Sequence, residues 1–326
     1  MNKETRQCVR QMNAMGREGR PFLFLIDYEM EQPLVVPLDE LDPKQILYEI
    51  EGKGNLPPMV FPSKEQVVFE CRPPAFDDYQ IRFDGVMAHL KKGESCLINL
   101  TQPVEVHTNL SLYEIFLRSK ARFKLWFDER FVVFSPEPFV CIEAGKIHTF
   151  PMKGTLDATL PDATTRLLND SKELAEHHSS VELLSHDLRK VAKNVRTERF
   201  RYVETIETLR GSLLQTSSHI SGTLRAGYVG RLGSAVVALL PAGSIAGAPK
   251  AASVEIIRRW EGYRRGYYTG IFGRFDGQKL ESGVMIRFIE KQNDGLVFKA
   301  GGGITVNSTV QREYNELLAK VALPFR

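Results

Sequence analysis

Apolar residues along this chain fall into two patterns, short continuous runs and repeats at helical spacing. The run at residues 21–28 is closed by acidic residues and is typical of a buried strand. Between residues 77 and 90, apolar side chains recur every three or four positions, which predicts an amphipathic helix. That helix should end at Lys91-Lys92-Gly93, where two cations and a glycine follow the last apolar position.

Later segments add more strands and helices. Residues 131–134 and 140–142 are predicted to form paired strands around a Ser-Pro-Glu-Pro turn, and residues 164–196 the longest helical stretch. Further strands are predicted at 96–101, 146–150, 267–275, 283–290 and 296–300, and a terminal helix at 310–323. Long helices among many strands indicate a large mixed-sheet protein. Pro73-Pro74 marks a boundary between a strand-rich N-terminal subdomain, residues 1–76, and the remainder, residues 77–326.

Composition excludes several classes of protein. The 326 residues carry a net charge of only +3, with 25% charged and 43% hydrophobic residues, so neither a nucleic-acid partner nor a membrane surface is indicated. The four cysteines are far apart and form no Cys-x-x-Cys pair, which favours reduced thiols. The N-terminus lacks the apolar core of a signal peptide, and the expected location is the cytoplasm.

Two pairs of glutamates are the first candidates for chemistry. Glu173 and Glu176 lie on one predicted helix, and Glu313 and Glu316 on another. A spacing of three residues places each pair on one side of its helix. Two such pairs facing each other would form an oxygen-rich site suited to Mg²⁺. Alternatively, each pair is part of a solvated helix face.

Three glycine-bearing segments are the next candidates. Residues 243–250 lack the spacing of a P-loop, yet they precede a helix, where backbone N–H groups can bind an anion. The run 301–303 would let the chain pass close to a ligand, or it is a flexible turn. Lys153 lies between Pro151-Met152 and Gly154, where a lysine is either solvated or, if buried near cations, a nucleophile. No histidine is assigned a role.

In this order, these segments resemble the chorismate-utilising enzymes, which include anthranilate synthase component I, aminodeoxychorismate synthase component I, isochorismate synthase and salicylate synthase. The resemblance covers about residues 77–325. The motifs that carry it are Ser135-Pro136-Glu137, Pro151-Met152-Lys153-Gly154-Thr155, Lys172-Glu173-Leu174-Ala175-Glu176, residues 243–250, Arg265-Gly266-Tyr267-Tyr268-Thr269-Gly270, Ile286-Arg287, and Gly301-Gly302-Gly303-Ile304 followed by Glu313-Tyr314-Asn315-Glu316. It implies an α+β chorismate-binding fold like that of anthranilate synthase component I, with two packed antiparallel sheets flanked by helices. Residues 1–76 would belong to the same sandwich.

The resemblance also implies a set of site residues. The four glutamates would hold Mg²⁺, with Glu176 and Glu316 as direct ligands and Glu173 and Glu313 acting through water. The residues that would bind chorismate itself are Gly154, Thr155, Ser244, Tyr268, Arg287, Gly301, Gly302, Gly303 and Lys320. Arginine suits this task because its fork binds a carboxylate through two hydrogen bonds.

Lys153 indicates the subfamily. Anthranilate synthases usually carry alanine there, and Pro-x-Lys-Gly-Thr resembles aminodeoxychorismate synthase component I. The resemblance implies that Lys153 adds to C2 of chorismate and that Glu137 protonates the departing C4 hydroxyl. Ammonia then yields 4-amino-4-deoxychorismate, the precursor of p-aminobenzoate and folate. Leu97 aligns with a lysine base of isochorismate and salicylate synthases, and leucine cannot activate water.

The chain also departs from the family pattern. Ser185 and His186 stand where relatives usually carry Arg and Asn, Arg274 replaces a common aromatic residue, and Gln215 aligns near a missing histidine. The alternatives are therefore anthranilate synthase component I and a chorismate-binding protein without turnover. None of the cysteines lies in the glycine-rich turn of a glutaminase, so a separate glutamine amidotransferase subunit is expected to supply ammonia.

Overall fold

The computed structural model describes residues 1–56, 66–208, 211–292 and 295–325. Its strands are β1 (Phe22–Ile26), β2 (Leu34–Pro37), β3 (Ile46–Ile50), β4 (Lys53–Gly54), β5 (Phe69–Arg72), β6 (Leu97–Thr108), β7 (Phe123–Phe127), β8 (Phe131–Ser135), β9 (Pro138–Glu143), β10 (Lys146–Thr149), β11 (Met152–Asp157), β12 (Ala192–Thr208), β13 (Gly211–Leu224), β14 (Gly247–Ala248), β15 (Ile271–Phe275), β16 (Lys279–Val284), β17 (Phe288–Gln292) and β18 (Gly295–Ile304). The helices are α1 (Lys3–Glu18), α2 (Phe76–Lys91), α3 (Leu112–Arg118), α4 (Ala163–Asn169), α5 (Ser171–Val191), α6 (Leu232–Val237), α7 (Gly243–Ala246), α8 (Lys250–Glu261) and α9 (Val310–Ala319). None of the helices in these ranges combines the length and apolar character that a membrane span requires.

The strands form two antiparallel sheets, so the predicted α+β class is confirmed. Sheet A has the order β11-β13-β10-β9-β16-β15-β1-β2, with β12 also paired to β13. Sheet B has the order β14-β6-β18-β17-β8-β7-β3-β4, with β5 also paired to β6. The first five strands are thus divided between the two sheets. The proposed boundary at residue 76 stays a prediction.

Three large apolar clusters among the described residues hold the layers together. Between the sheets, side chains of both inner faces interlock, and the rings of Phe123 and Phe272 meet edge to face at 6.5 Å. The outer face of sheet A packs on α1, α5 and α6 through residues such as Met12, Leu188 and Val236. The outer face of sheet B packs on α2, α3, α8 and α9. The result is a sandwich of two sheets between two layers of helices.

The chain changes sheets after β8, where the sequence predicted a pair of strands. β8 pairs with β7 and β17 in sheet B, whereas β9 pairs with β10 and β16 in sheet A, so the predicted pairing is wrong. The link is Pro136-Glu137. A two-residue hairpin turn requires positive φ, which proline cannot adopt. Glu137 therefore lies where the chain passes from one sheet to the other.

Another change of sheet occurs at residues 285–287, inside the predicted strand 283–290. β16 belongs to sheet A and β17 to sheet B. The two links are joined directly, since the Val284 N–H donates to the Glu137 carbonyl at 3.0 Å and the Phe134 N–H to the Arg287 carbonyl at 3.1 Å. Glu137 and Arg287 therefore occupy neighbouring positions at the junction of the sheets.

The predicted helix at 164–196 is two helices and the start of a strand. Asp170 has extended backbone angles and caps α5, with its side chain accepting a hydrogen bond from the Glu173 N–H at 2.9 Å. The chain leaves the helix after Val191 and enters β12. This cap places Glu173 in the first turn of α5, where the helix dipole favours a carboxylate.

A buried ion pair connects the helices to sheet B. Arg265 and Glu261 are each 1% exposed, and their side chains meet at 2.6 and 2.8 Å. Arg265 also donates to the carbonyls of Ile245 in α7 and Asn99 in β6, at 2.9 and 2.7 Å. Glu261 accepts from the Thr101 N–H at 2.7 Å. Each charged group thus has the partners that a buried charge needs.

Replacing Arg265 by methionine should destabilise the protein by about 3–5 kcal/mol, because Glu261 would remain buried without its partner. Urea unfolding followed by circular dichroism measures this. Arg122→Met is the control, because the pair of Arg122 with Glu51 is partly exposed and such pairs contribute at most about 1 kcal/mol. Equal unfolding midpoints for the two variants would contradict the assignment.

Candidate active site

A cavity of about 120 Å³ lies at the junction of the two sheets, between β11, α5 and α7. Its walls include the two predicted catalytic residues, Glu137 and Lys153, and the predicted binding residue Ser244. Leu97 on β6 forms part of the same wall. The structure therefore brings a carboxyl group, an amine and a hydroxyl group together around one space. The other predicted site residues lie beyond the walls of this cavity.

Glu137 is positioned by the link between the sheets. Its N–H donates to Ser135 Oγ at 3.1 Å. Burial raises the pKa of the Glu137 carboxyl, while a hydrogen bond with Ser244 and the charges of Lys153 and Lys320 act in the opposite direction. A carboxyl group with a raised pKa holds its proton closer to neutral pH, as a general acid must.

Lys153 and Gly154 lie at an irregularity in β11. Strand pairing with β13 shifts register between Lys153 and Thr155, and Gly154 has a φ of +69°, which favours glycine. A Cβ at residue 154 would lie 3.0 Å from Glu173 Oε2. The bulge therefore brings the backbone against α5 and leaves Lys153 Nζ 4.0 Å from Glu176 Oε2.

The second glutamate pair adjoins the glycine run. Lys320 Nζ lies 2.8 Å from Glu316 Oε1 and donates to the Gly301 carbonyl at 2.7 Å. A Cβ at Gly302 would lie 3.3 Å from Glu316 Oε1 and 3.7 Å from Glu313 Oε2. The glycines of β18 thus allow α9 to approach the sheet closely, with both glutamates turned towards it.

The four glutamates interact electrostatically. Burial raises the pKa of Glu173, and the charges of Glu176 and Glu316 raise it further. Burial and the charge of Glu316 raise the pKa of Glu313. Burial also acts to raise the pKa of Glu316, yet Lys320 and Lys153 lower it overall. The carboxylates of α5 and α9 therefore influence one another's pKa values, and the nearby lysines compensate their negative charge only in part.

This donor set fits a hard divalent cation in its chemistry, because it offers four carboxylate groups, and the raised pKa values of Glu173 and Glu313 show negative charge that a cation would offset. Among the described residues, no three acidic, histidine or cysteine side chains converge closely enough to ligate one ion. Instead, the ammonium groups of Lys153 and Lys320 contact Glu176 and Glu316.

Arg287 lies beside the end of α9, and Tyr268 lies near Arg287. Arg287 Nη1 donates to the Lys320 carbonyl at 2.9 Å. Burial lowers the pKa of Arg287, against the effects of Tyr268 and Glu316. Tyr268 is 3% exposed, and burial raises the pKa of its phenol. Arg287 is thus within electrostatic range of Glu316 in the predicted metal site, and Tyr268 is within electrostatic range of Arg287 and Glu137.

Two of the predicted binding residues, Thr155 and Gly303, do not line the cavity themselves. Thr155 is exposed and pairs across the sheet with Gln215, whose buried Oε1 has no hydrogen-bond partner among the described residues. A Cβ at Gly303 would lie 3.0 Å from Leu97 Cδ1, so Gly303 adjoins the cavity wall through that leucine. Of the departures from the family pattern, Ser185 is buried and His186 is exposed.

Two further buried groups were not identified from the sequence. Asp187 lines the cavity and pairs with Lys250 at 2.7 Å. His177 is fully buried, and burial, followed by the charge of Arg201, lowers its pKa to about 4. A signal for His177 was present, because it falls on the apolar face of α5 between Leu174 and Val181.

Comparison with known proteins shows which family and which fold the chain resembles. The family described as chorismate binding enzyme matches residues 20–326. A Haemophilus influenzae protein named "Uncharacterized PabA-like protein" is 46% identical over 316 residues, which are 97% of this chain and 96% of that protein. Anthranilate synthase component 1 of Archaeoglobus fulgidus is 32% identical over 72% of this chain and 58% of its own length. Aminodeoxychorismate synthase component 1 of Salmonella typhimurium is 30% identical over 75% of this chain and 56% of its own length.

Among solved structures, an isochorismate synthase of Bacillus anthracis superposes with a TM-score of 0.72 at 20% identity, covering 97% of this chain and 87% of that one. This likeness concerns the fold, and it agrees with the two packed sheets described above.

In protein without divalent cations at pH 7.5, Glu313→Gln should raise the melting temperature and Glu316→Gln should lower it. The free energy of unfolding should change by less than about 1 kcal/mol in each variant. The folded-state pKa of Glu313 is raised, so its ionised form opposes folding above the unfolded pKa of about 4.3. The folded-state pKa of Glu316 is lowered, so its negative charge stabilises the folded protein at pH 7.5. This stability is lost as the pH falls through the folded-state pKa of Glu316. Thermal scans at pH 7.5 and pH 3.5 test this, and shifts of the same sign at pH 7.5 would disprove it.

Proposed function

The chain belongs to the chorismate binding enzyme family, and we propose that it aminates chorismate at C4 to give 4-amino-4-deoxychorismate. The observation that carries the proposal is the cavity lined by both Lys153 and Glu137, which combines an amine with a carboxyl group of raised pKa. The presence of Leu97 in the same wall supports amination over hydroxylation, since leucine cannot activate water. The similarity to an aminodeoxychorismate synthase component 1 points the same way.

The proposed chemistry has two halves. In the first, the Lys153 amine forms a bond to C2, the two ring double bonds shift, and the C4–O bond breaks. Glu137 donates its proton to the departing oxygen, which leaves as water. In the second, ammonia forms a bond to C4, the double bonds shift back, and the C2–N bond breaks to free Lys153. The surplus proton of the new ammonium returns to the Glu137 carboxylate.

Mg²⁺ is part of the proposal, held directly by Glu176 and Glu316 and through water by Glu173 and Glu313. When bound, it supplies positive charge that orients the ring carboxylate of chorismate. The enolpyruvyl carboxylate would be bound by Tyr268, Arg287 and the backbone at 301–303. The support is the position of Arg287 beside α9. Burial of Arg287 strengthens its attraction for an anion.

The nitrogen is proposed to come from a separate glutamine amidotransferase. A glutaminase needs an activated thiolate. Cys141 pairs across the sheet with His148, but burial raises the pKa of the Cys141 thiol to about 11, so this thiol stays protonated at neutral pH. The cytoplasm is the proposed compartment, where the free cysteines would remain reduced.

Anthranilate synthase is the second candidate, favoured by the 32% identity to the Archaeoglobus fulgidus enzyme. Both reactions use chorismate, Mg²⁺ and ammonia, so product identity decides between them. Incubation of the purified chain with chorismate and an ammonium salt, followed by liquid chromatography, is the deciding experiment. Anthranilate as the sole product would refute the proposal.

Lys153→Arg and Lys153→Ala should both reduce amination by a factor of 10² or more, on the order of what loss of a catalytic group costs. Arginine keeps the charge but cannot act as an amine nucleophile. Chorismate binding, measured by calorimetry with Mg²⁺, should persist in Lys153→Ala, because the carboxylate contacts lie elsewhere. Near-normal amination by Lys153→Arg would leave Lys153 an electrostatic role only.

Mg²⁺ should raise the melting temperature of the wild-type protein, because a ligand that binds only the folded state stabilises it. Glu176→Gln should reduce this rise to less than about half, since it removes one charged ligand. Glu182→Gln is the matched control, an exposed glutamate on the same helix. An equal rise in both variants would exclude Glu176 from the metal site.

A further inference from the structure

His177 sits between the helix that carries the first glutamate pair and the strands behind Lys153. It follows Glu176 directly on α5 and is fully buried. Its Nε2 lies 2.6 Å from Ser218 Oγ and its Nδ1 3.5 Å from Thr216 Oγ1, both on β13. The Thr216 hydroxyl in turn hydrogen-bonds to the Lys153 carbonyl. The imidazole therefore connects α5 with the backbone of Lys153 through a single intervening side chain.

The hydrogen bonds determine which ring nitrogen carries the proton. Ser218 Oγ accepts from the Arg201 N–H at 2.8 Å, so its own proton is available for His177 Nε2. The Thr216 proton is directed to the Lys153 carbonyl, so Thr216 Oγ1 can only accept from the ring. A proton on Nδ1 satisfies both contacts, whereas a proton on Nε2 would leave two acceptors facing each other at Thr216. One neutral tautomer fits the whole chain of bonds.

The need for such a connection arises from the bulge in β11. A bulge disrupts the regular ladder of backbone hydrogen bonds, and here the register shifts immediately after Lys153. The Thr216 hydroxyl supplies a contact for the Lys153 carbonyl at that point. The neighbouring Pro151 carbonyl is held separately by the Ser218 N–H at 2.9 Å.

We propose that His177 is a positioning residue, which sets the Lys153 amine relative to the glutamates of α5 through its Nδ1–H and Thr216. The inference rests on the proposed function, in which that amine is the nucleophile. A displacement of about 1 Å in a reacting group can cost about 10²-fold in rate. His177 has two arms, the Ser218 arm at Nε2 and the Thr216 arm at Nδ1. The Thr216 arm alone reaches Lys153.

Two substitutions separate the arms. His177→Asn places an amide nitrogen near the position of Nδ1, and His177→Gln places its amide near the position of Nε2. We expect His177→Asn to keep kcat for amination within about tenfold of wild type. We expect His177→Gln to lower kcat by about 10²-fold, with the chorismate Kd unchanged because the carboxylate contacts are intact. Equal losses in the two variants, following their melting temperatures, would show a purely structural histidine and overturn the proposal.

A second pair of variants tests the same arm without changing His177. Thr216→Val removes the hydroxyl at similar size and should behave like His177→Gln. Thr216→Ser keeps the hydroxyl and should restore kcat to near the wild-type value. Wild-type kcat in Thr216→Val would overturn the proposal even if a His177 variant failed to fold.

The reactivity of Lys153 gives a readout that does not depend on the reaction. A small acylating reagent applied to metal-free and chorismate-free protein, with peptide mass spectrometry, measures the labelling rate of Lys153 against the exposed Lys172. The ratio should change in His177→Gln and Thr216→Val but stay at the wild-type value in Thr216→Ser. If Lys153→Arg retained amination, the proposal that Lys153 is the nucleophile would be refuted. A changed labelling ratio would still support the proposal that His177 positions Lys153. An unchanged ratio in both His177→Gln and Thr216→Val would overturn it.

Discussion

The buried pair of Arg265 and Glu261 is the constraint on which the rest of the structure depends. Both charged side chains are buried, so they lose their hydration when the protein folds. Their mutual attraction offsets this cost only if their remaining hydrogen-bonding groups also have partners. The partners are drawn from separate parts of the chain, the carbonyls of Asn99 in β6 and Ile245 in α7 among them. Since Ser244 precedes Ile245, the same pair that secures α8 to sheet B also fixes the wall of the cavity.

The site itself is a consequence of the chain crossing between two sheets. Glu137 and Arg287 belong to two of these links, after β8 and after β16, and their carbonyls accept hydrogen bonds from Val284 and Phe134 across the junction. Backbone in such links is free of the alternation that governs strands, so its side chains can point into the space between elements. The bulge at Lys153 provides a third irregular position on the same side. Reactive groups thus gather where regular pairing ends.

Charge in this region is arranged as carboxylates on two helices with lysines between them. Glu173 and Glu313 have raised pKa values because they are partly buried near other carboxylates, whereas Glu316 is stabilised by Lys320 and Lys153. Perturbed pKa values that arise from burial and from neighbouring charges are typical of functional sites, so this region is the candidate site. The apolar and hydrogen-bonded layers behind α5 and α9 hold these helices in place against the repulsion.

The sequence by itself determined several of the elements and the family. Helical spacing located α2, and the order of the motifs indicated two packed antiparallel sheets together with the residues of the site. The sequence did not determine which strands pair with each other. An apolar run such as residues 131–134 indicates that a strand is buried, but it does not indicate which strand lies next to it. The pairing of residues 131–134 with 140–142 therefore failed. His177 shows the same limit, since its partners Thr216 and Ser218 lie 39 and 41 residues away. Only the packing of α5 on β13 decided that a histidine on an apolar face would join the glutamates to Lys153.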